Sequence, residues 1–336
     1  MISRVADHCF WFGRYVERAE ATARMLSATG SLALDAELPP AQVWRPVIVV
    51  SGEEDEFRAR VAEGSDDHPA WGDGEIVQRF MVWDETNGVS LARSIMGARS
   101  NARSIREVLS LEAWEAINEL HLWSSPEVER AGFTPARGSD EAQTQWAQHR
   151  EGFYQQVRRS TQLALGLLRS TMLHDEPLDF IWLGVLLERV SQTARMLDVH
   201  HHAFTNLTPN QEIIETALWL SLLRALSGSE AYMKRSAGRI SSDAVARFLI
   251  SESAFPRSIA YCVHSAYERL CDIRPPEKHD LPGGISLERL RVLDSWVAAR
   301  SKEPLVGRSV HELLTHVVDE VHAICGTLGT ELLGAG

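Results

Sequence analysis

Apolar residues recur along this chain with the three- and four-residue spacing of amphipathic helices, and strand-like alternation is scarce. The long helical patterns include residues 3–29, 90–109, 140–171, 177–200 and 287–299. The β-branched run at 47–50 favours a strand, but it is too short and isolated to found a sheet. The pattern therefore predicts an all-α fold, a multi-helix bundle.

One helical pattern occurs twice. Residues 11–26 and 182–197 share the sequence W-x-G-x-x-x-E-R-x-x-x-T-A-R-M-L. A match of this length between two segments indicates two versions of one helical unit. We therefore expect a single helical domain, 1–336, built from two pseudo-symmetric halves at about 1–173 and 174–336.

The first copy carries a polar strip on an otherwise apolar helix. On a helical wheel with a step of ~100° per residue, Gly13, Glu17, Glu20 and Arg24 line up with apolar residues on both sides. A helix that is apolar almost all round is usually buried. We therefore expect these carboxylates to be at least partly removed from water.

The second copy repeats the strip as Gly184, Glu188, Ser191 and Arg195. A glycine one turn before each glutamate costs helix stability. Its presence in both copies is typical of a position where a neighbouring helix or a ligand approaches closely. Since Ser191 stands where the first copy has Glu20, any working site is asymmetric.

Two interpretations of the glutamates remain open. In the first, Glu17, Glu20 and Glu188 are catalytic candidates, since carboxylates that share a dry site push one pKa upward and suit acid/base work. Arginines would then orient the carboxylate or phosphate of a substrate. These candidate substrate-binding residues are Arg24, Arg195, Arg103 and Arg106.

In the second interpretation the same glutamates are structural. Glu20 and Arg24 have the i,i+4 spacing of an intrahelical ion pair. Glu17 and Glu188 would each meet an arginine from another helix. Buried networks of this kind are common structural devices, although they add little net stability over apolar packing. The helical strip expected to supply that arginine comprises Arg99, Arg103 and Arg106.

Composition excludes several other classes of function. The chain has 34 Lys and Arg against 46 Asp and Glu, a net charge of −12, which disfavours nonspecific nucleic-acid binding and anionic membranes. Its longest apolar runs, 180–187 and 217–223, are too short to span a bilayer. No nucleotide-binding loop or known hydrolase motif occurs, and the sequence predicts no metal and no cofactor.

Cysteine usage and the start of the chain predict a cytoplasmic location. The four cysteines lack C-x-x-C spacing and fit a reducing compartment. Met1 is followed by no apolar signal-peptide core.

Farther along, three histidines, 200–202, follow the second copy of the repeat, and we expect them to form a solvated helix end.

Several segments together resemble the bacterial alpha-E domain family. Residues 1–6 with 11–20 resemble its opening, and three later segments resemble its further motifs: 101–107, 183–195 and 255–258. Two positions depart from the family pattern: Val190-Ser191, where Ala-Asp is frequent, and Asn87-Gly88, where Asn-Pro is usual.

The resemblance implies an all-helical protein that accompanies an ATP-grasp-type ligase and a transglutaminase-like protein. It thus implies a helical accessory or scaffold component of a bacterial peptide or amide-bond synthesis or modification system. The alternative is an enzyme or ligand-binding protein that uses Glu17, Glu20 and Glu188 with arginines.

Overall fold

The described part of the chain consists of helices joined by turns and loops. The computed structural model describes residues 3–35, 37–130, 140–204, 212–236, 240–300 and 308–334, and within these ranges it contains no strand. It includes a 3-10 turn at Pro69–Gly72 and a π-helical turn at Gly329–Leu333. The α-helices of these ranges are α1 Ser3–Asp35, α2 Pro40–Ser51, α3 Glu54–Arg60, α4 Gly74–Val82, α5 Leu91–Ser104, α6 Leu111–Arg130, α7 Asp140–Thr171, α8 Glu176–Phe204, α9 Glu212–Ala225, α10 Ser229–Arg235, α11 Ser242–Ser251, α12 Ile259–Ile273, α13 Gly284–Arg300 and α14 Arg308–Leu328.

The predicted all-α class is confirmed, and the β-branched run at 47–50 lies inside α2. That helix begins with Pro40 in its first turn and buries Val47, Ile48 and Val50. Burial against neighbouring helices outweighs the small intrinsic preference of β-branched residues for strands. None of the helices in the ranges described combines the length and the apolar character needed to cross a bilayer.

The chain divides into two compact units. The first, called here the α8 unit, combines the chain up to Arg14 with the chain from His174 onward. The second, called the α7 unit, is Tyr15–Leu173. Helix α1 therefore contributes its first residues to the α8 unit and its remaining residues to the α7 unit. The proposed pseudo-symmetry of the halves stays a prediction.

Helix α8 is the central element of its unit. It packs against α12 and α14. Helix α13 in turn packs against both α12 and α14. Apolar side chains on nearly every side of α8 are buried, among them Ile181, Leu183, Val185 and Leu187. In the α7 unit, α6 packs against α7 and α5. This arrangement places both copies of the repeated motif on helices with buried faces.

Candidate functional site

The two repeated glycines lie where α1 and α8 touch. A Cβ atom on Gly13 would lie 2.0 Å from the carbonyl oxygen of Ile181, and one on Gly184 would lie 2.1 Å from that of Phe10. Each glycine thus meets the residue three positions before the other glycine. The close approach predicted from the sequence is confirmed, and the neighbour is a helix backbone.

Glu188 is held by an arginine at this helix contact. Arg14 Nε donates to Glu188 Oε2 at 2.7 Å, and the two side chains are only 14% and 3% exposed. Gln192, one turn farther along α8, donates to Oε1 at 3.3 Å. Both carboxylate oxygens of Glu188 therefore accept hydrogen bonds from side chains of the α8 unit.

Arg14 is itself surrounded by protein. Its Nη1 donates to the Sγ of Cys325 at 3.1 Å, and its guanidinium lies 5.3 Å from the ring centroid of Trp11. Burial alone would lower the pKa of Arg14, but the Glu188 carboxylate and Cys325 raise it above its usual value. The Arg14 guanidinium is therefore a permanent positive charge inside the α8 unit.

Sequence reasoning missed Arg14 as the partner of Glu188. The partners are 174 positions apart, and the position equivalent to Arg14 in the second copy is Val185. A comparison of the two copies therefore passes over this position. The available signal was an arginine one residue after the repeated glycine, on the flank of a buried helix.

Glu20 forms the second buried ion pair, in the α7 unit. Arg24 donates through Nε to Glu20 Oε1 at 3.0 Å, and its Nη2 contacts the same oxygen. Gln162 of α7 donates to this oxygen as well, at 3.1 Å. The side chains of Glu20 and Arg24 are 1% and 6% exposed. The predicted i,i+4 pair is confirmed.

Glu17 is wholly buried, as the wheel predicted. It belongs to the α7 unit and Glu188 to the α8 unit, and a dry site shared by these carboxylates stays a prediction. The arginines that follow these glutamates lie beside aromatic rings. The Arg18 guanidinium is 5.6 Å from the ring centroid of Tyr15, and that of Arg189 is 5.9 Å from Trp182. Each E-R pair thus buries its acid and places its base against a ring.

The other arginine candidates lie in different surroundings. Arg103 and Arg106 are exposed, and Arg106 lies over Trp114 at 5.0 Å. Arg99 Nε donates to Asn118 Oδ1 at 2.9 Å. Arg195 on α8 is half-buried. A role for Arg24, Arg195, Arg103 and Arg106 in substrate binding stays a prediction.

Across the part of the chain that is described, no three His, Cys, Asp or Glu residues are grouped to hold a metal.

The expectation of a solvated histidine end is wrong for His201, which is 5% exposed. The side chain of His202 lies outside the described residues. His200 Nδ1 lies 2.8 Å from the carbonyl oxygen of Met196. Burial lowers the pKa of His200 to about 4, against the opposing effect of this hydrogen bond. Since α8 continues to Phe204, His200 and His201 lie inside the helix and not at its end.

We expect His200 to make the fold sensitive to acid. Its pKa is about 4 in the folded chain and ~6.5 in an unfolded one, so the unfolded state binds more protons between these values. Stability from neutral His200 is present above pH ~6.5 and is lost as the pH falls toward 4. His200→Gln should flatten the dependence of urea unfolding on pH in this window.

His264 provides a control of opposite sign. The Asp294 carboxylate raises the pKa of His264, so its contribution is present in acid and is lost as the pH rises through the folded pKa. His264→Gln should therefore reduce stability at low pH and leave it unchanged at high pH. If the free energy of unfolding depends on pH in the same way for the parent chain and for His200→Gln, the pKa of His200 is not lowered by folding.

The fold and the repeated E-R pairs, each with a buried glutamate, define an all-helical protein built on two glutamate-bearing helices. A family model described as a predicted alpha-helical domain with a conserved ER motif, Alpha-E, matches residues 1–332. The chain belongs to the Alpha-E family. The E-R pairs of its repeated motif are Glu17-Arg18 and Glu188-Arg189.

Two curated relatives resemble the chain over most of its length. They are uncharacterised proteins of Mycobacterium bovis and Mycobacterium tuberculosis, each 26% identical over 300 residues. The match covers 85% of this chain but 30% of each relative, so the chain spans less than a third of their length. No solved structure matches the chain.

Proposed function

We propose that this Alpha-E protein is a non-catalytic helical component of a bacterial peptide or amide-bond synthesis or modification system. In that system it works with an ATP-grasp-type ligase and a transglutaminase-like protein. The resemblance to the family supplies the partner classes. The observation that most favours a supporting role is the commitment of Glu188 and Glu20 to buried ion pairs.

A general acid or base must come within hydrogen-bond reach of its substrate. Glu188 is 3% exposed, and its two oxygens accept from Arg14 and Gln192. Glu20 is 1% exposed and accepts from Arg24 and Gln162. Access to either carboxylate would require separation of its helix from a packed neighbour. Such acids serve best as internal supports, Glu188 between α8 and α1 and Glu20 between α1 and α7.

The greater length of the mycobacterial relatives is consistent with an Alpha-E segment that functions next to other protein domains. Most of each mycobacterial relative lies outside the segment that this chain matches. A segment that forms 30% of a longer chain operates next to further protein. In this proposal the helical surface positions the ligase and the transglutaminase-like protein, and those partners carry out the chemistry.

The alternative function is an enzyme or ligand-binding protein that uses Glu17, Glu20 and Glu188 with Arg24 and Arg195. The observation that favours it is the burial of all three acids among apolar side chains. Acids in such surroundings are frequent in functional sites. The alternative requires at least one of these carboxylates to meet a substrate after a local opening of the helices.

Single replacements Glu17→Gln and Glu188→Gln separate the two functions. The measurements are the melting temperature of the variant and ADP release in a mixture of this protein, the ligase and the transglutaminase-like protein from the same organism. We expect a lower melting temperature for Glu188→Gln, because a neutral amide leaves the buried Arg14 charge uncompensated. ADP release should then follow the amount of folded protein.

The exposed pair of Glu56 and Arg60 offers the control. Glu56→Gln removes one carboxylate at 45% exposure and should change neither measurement. Loss of ADP release by Glu17→Gln or Glu188→Gln at unchanged melting temperature would support the enzyme instead. Full ADP release in the absence of this protein would refute the accessory role.

A further inference from the structure

A buried arginine of the α8 unit lines a cavity and forms no ion pair with an acid of the described residues. Arg274 directly follows α12 and is 7% exposed. Its Nε donates to the carbonyl oxygen of Leu281 at 3.3 Å, and among the residues described no carboxylate forms an ion pair with it. A buried charge normally has a counter-ion, because removal from water is costly. The guanidinium therefore presents a terminal edge that is not paired with an acid.

The cavity at Arg274 is large enough for a small organic molecule. Its volume is about 320 Å³, at the lower end of the range typical of ligand pockets. Phe180, Ile273 and Leu332 form apolar parts of its wall. These side chains suit an apolar group of a few carbon atoms next to the charge of Arg274.

The two acids that line the cavity are engaged at helix N-termini. Glu331 accepts from the backbone N–H groups of Ile285 and Ser286 at 3.1 and 2.8 Å, and from the Ser286 hydroxyl at 2.7 Å. Burial would raise the pKa of Glu331, but these bonds and the charge of Arg274 lower it. Glu176 lies in the first turn of α8, where a negative charge is stabilised by the helix dipole.

Arg274 is held in place by the loop between α12 and α13. The Leu281 carbonyl fixes its Nε, and a Cβ on Gly284 would lie 3.3 Å from its Nη2. Gly283 turns the chain with φ +93°, a conformation that favours glycine. A guanidinium held in this way is prepared to bind a carboxylate through two parallel N–H···O bonds.

We propose that this cavity binds a small monocarboxylate, with its carboxylate on the free edge of the Arg274 guanidinium and its apolar chain against Phe180, Ile273 and Leu332. The guanidinium offers its N–H groups to one carboxylate, and the apolar wall disfavours a fully hydrated phosphate or sulfate. The cavity lies between the start of α1, the first turns of α8, the end of α12 with the loop that follows it, and the π-helical turn. It is independent of the accessory role proposed above.

Calorimetric titration of the full chain with 4-methylpentanoate tests the proposal. We expect saturable binding of one molecule, with affinity reduced at least tenfold for the neutral amide of the same acid. Inorganic phosphate and sulfate should bind more weakly than the carboxylate. Absence of binding by 4-methylpentanoate, equal binding of its amide, or tighter binding of phosphate would overturn the proposal.

Variants of Arg274 test whether its guanidinium binds the carboxylate. Arg274→Met should abolish binding, and Arg274→Lys, which keeps the charge but loses the planar fork, should weaken it at least tenfold. Arg291→Met removes an exposed arginine paired with Glu288 on α13 and should bind as the parent does. Circular dichroism establishes that each variant is folded. Unchanged affinity in a folded Arg274→Lys or Arg274→Met chain would refute the site, whatever the outcome of the ligase assay.

Discussion

Replacing Glu188 by alanine is expected to lower the free energy of unfolding by about 3–5 kcal/mol, because it leaves a buried arginine without its counter-ion. Arg14 is 14% exposed and donates to Glu188 at 2.7 Å. A guanidinium keeps its proton even without this partner, so the positive charge persists when the carboxylate is removed. Urea unfolding followed by circular dichroism measures the loss.

A double variant separates the charge from the packing. Arg14→Met with Glu188→Leu replaces both partners by apolar side chains of similar size, and such exchanges are often neutral or stabilising. We therefore expect the double variant to regain most of the stability lost by Glu188→Ala. Equal instability of the single and double variants would mean that packing, and not the uncompensated charge, causes the loss.

An exposed ion pair provides the matched control. Glu288 and Arg291 form an i,i+3 pair on α13, with side chains 60% and 51% exposed. Glu288→Ala should change the free energy of unfolding by less than ~1 kcal/mol, since solvent screens exposed pairs. A comparable loss in both glutamate variants would refute the special importance of the buried pair.

Periodicity along the chain was sufficient to predict the fold class and the burial of the glutamates. Both follow from the residues of one helix, because side chains three and four positions apart share a face. The pair of Glu20 and Arg24 was predictable for the same reason. Its third member, Gln162, lies on α7 and was not, since no local pattern relates it to Glu20.

Contacts between distant segments account for what the sequence did not reveal. Arg14 meets Glu188 across 174 positions, and Glu331 caps α13 from 45 positions away. The cavity at Arg274 likewise joins parts of four separate segments. A single sequence holds no signal for such pairs when neither spacing nor a shared motif connects them.

Replacing Gly13 by alanine is expected to destabilise the protein by about 3 kcal/mol or more, although alanine favours helices. The new Cβ would lie 2.0 Å from the carbonyl oxygen of Ile181, so α1 and α8 would have to separate. Backbone atoms cannot rotate away as a side chain does. Gly30 in the same helix is the control, because a Cβ there meets nothing within 4 Å.

Gly30→Ala should raise the free energy of unfolding by up to about 1 kcal/mol through helix propensity alone. A stabilising effect of Gly13→Ala would refute the close helix contact. Gly184→Ala should act like Gly13→Ala, since its Cβ would lie 2.1 Å from the Phe10 carbonyl oxygen. Thermal and urea unfolding of the three variants measure these changes.

The two glycines act on one helix contact, so their effects should not add. Gly13 meets Ile181, three positions before Gly184, and Gly184 meets Phe10, three positions before Gly13. A separation of α1 from α8 that accommodates the first methyl group also makes room for the second. The double variant should therefore lose less stability than the sum of the single losses, and strict additivity would show that the contacts are independent.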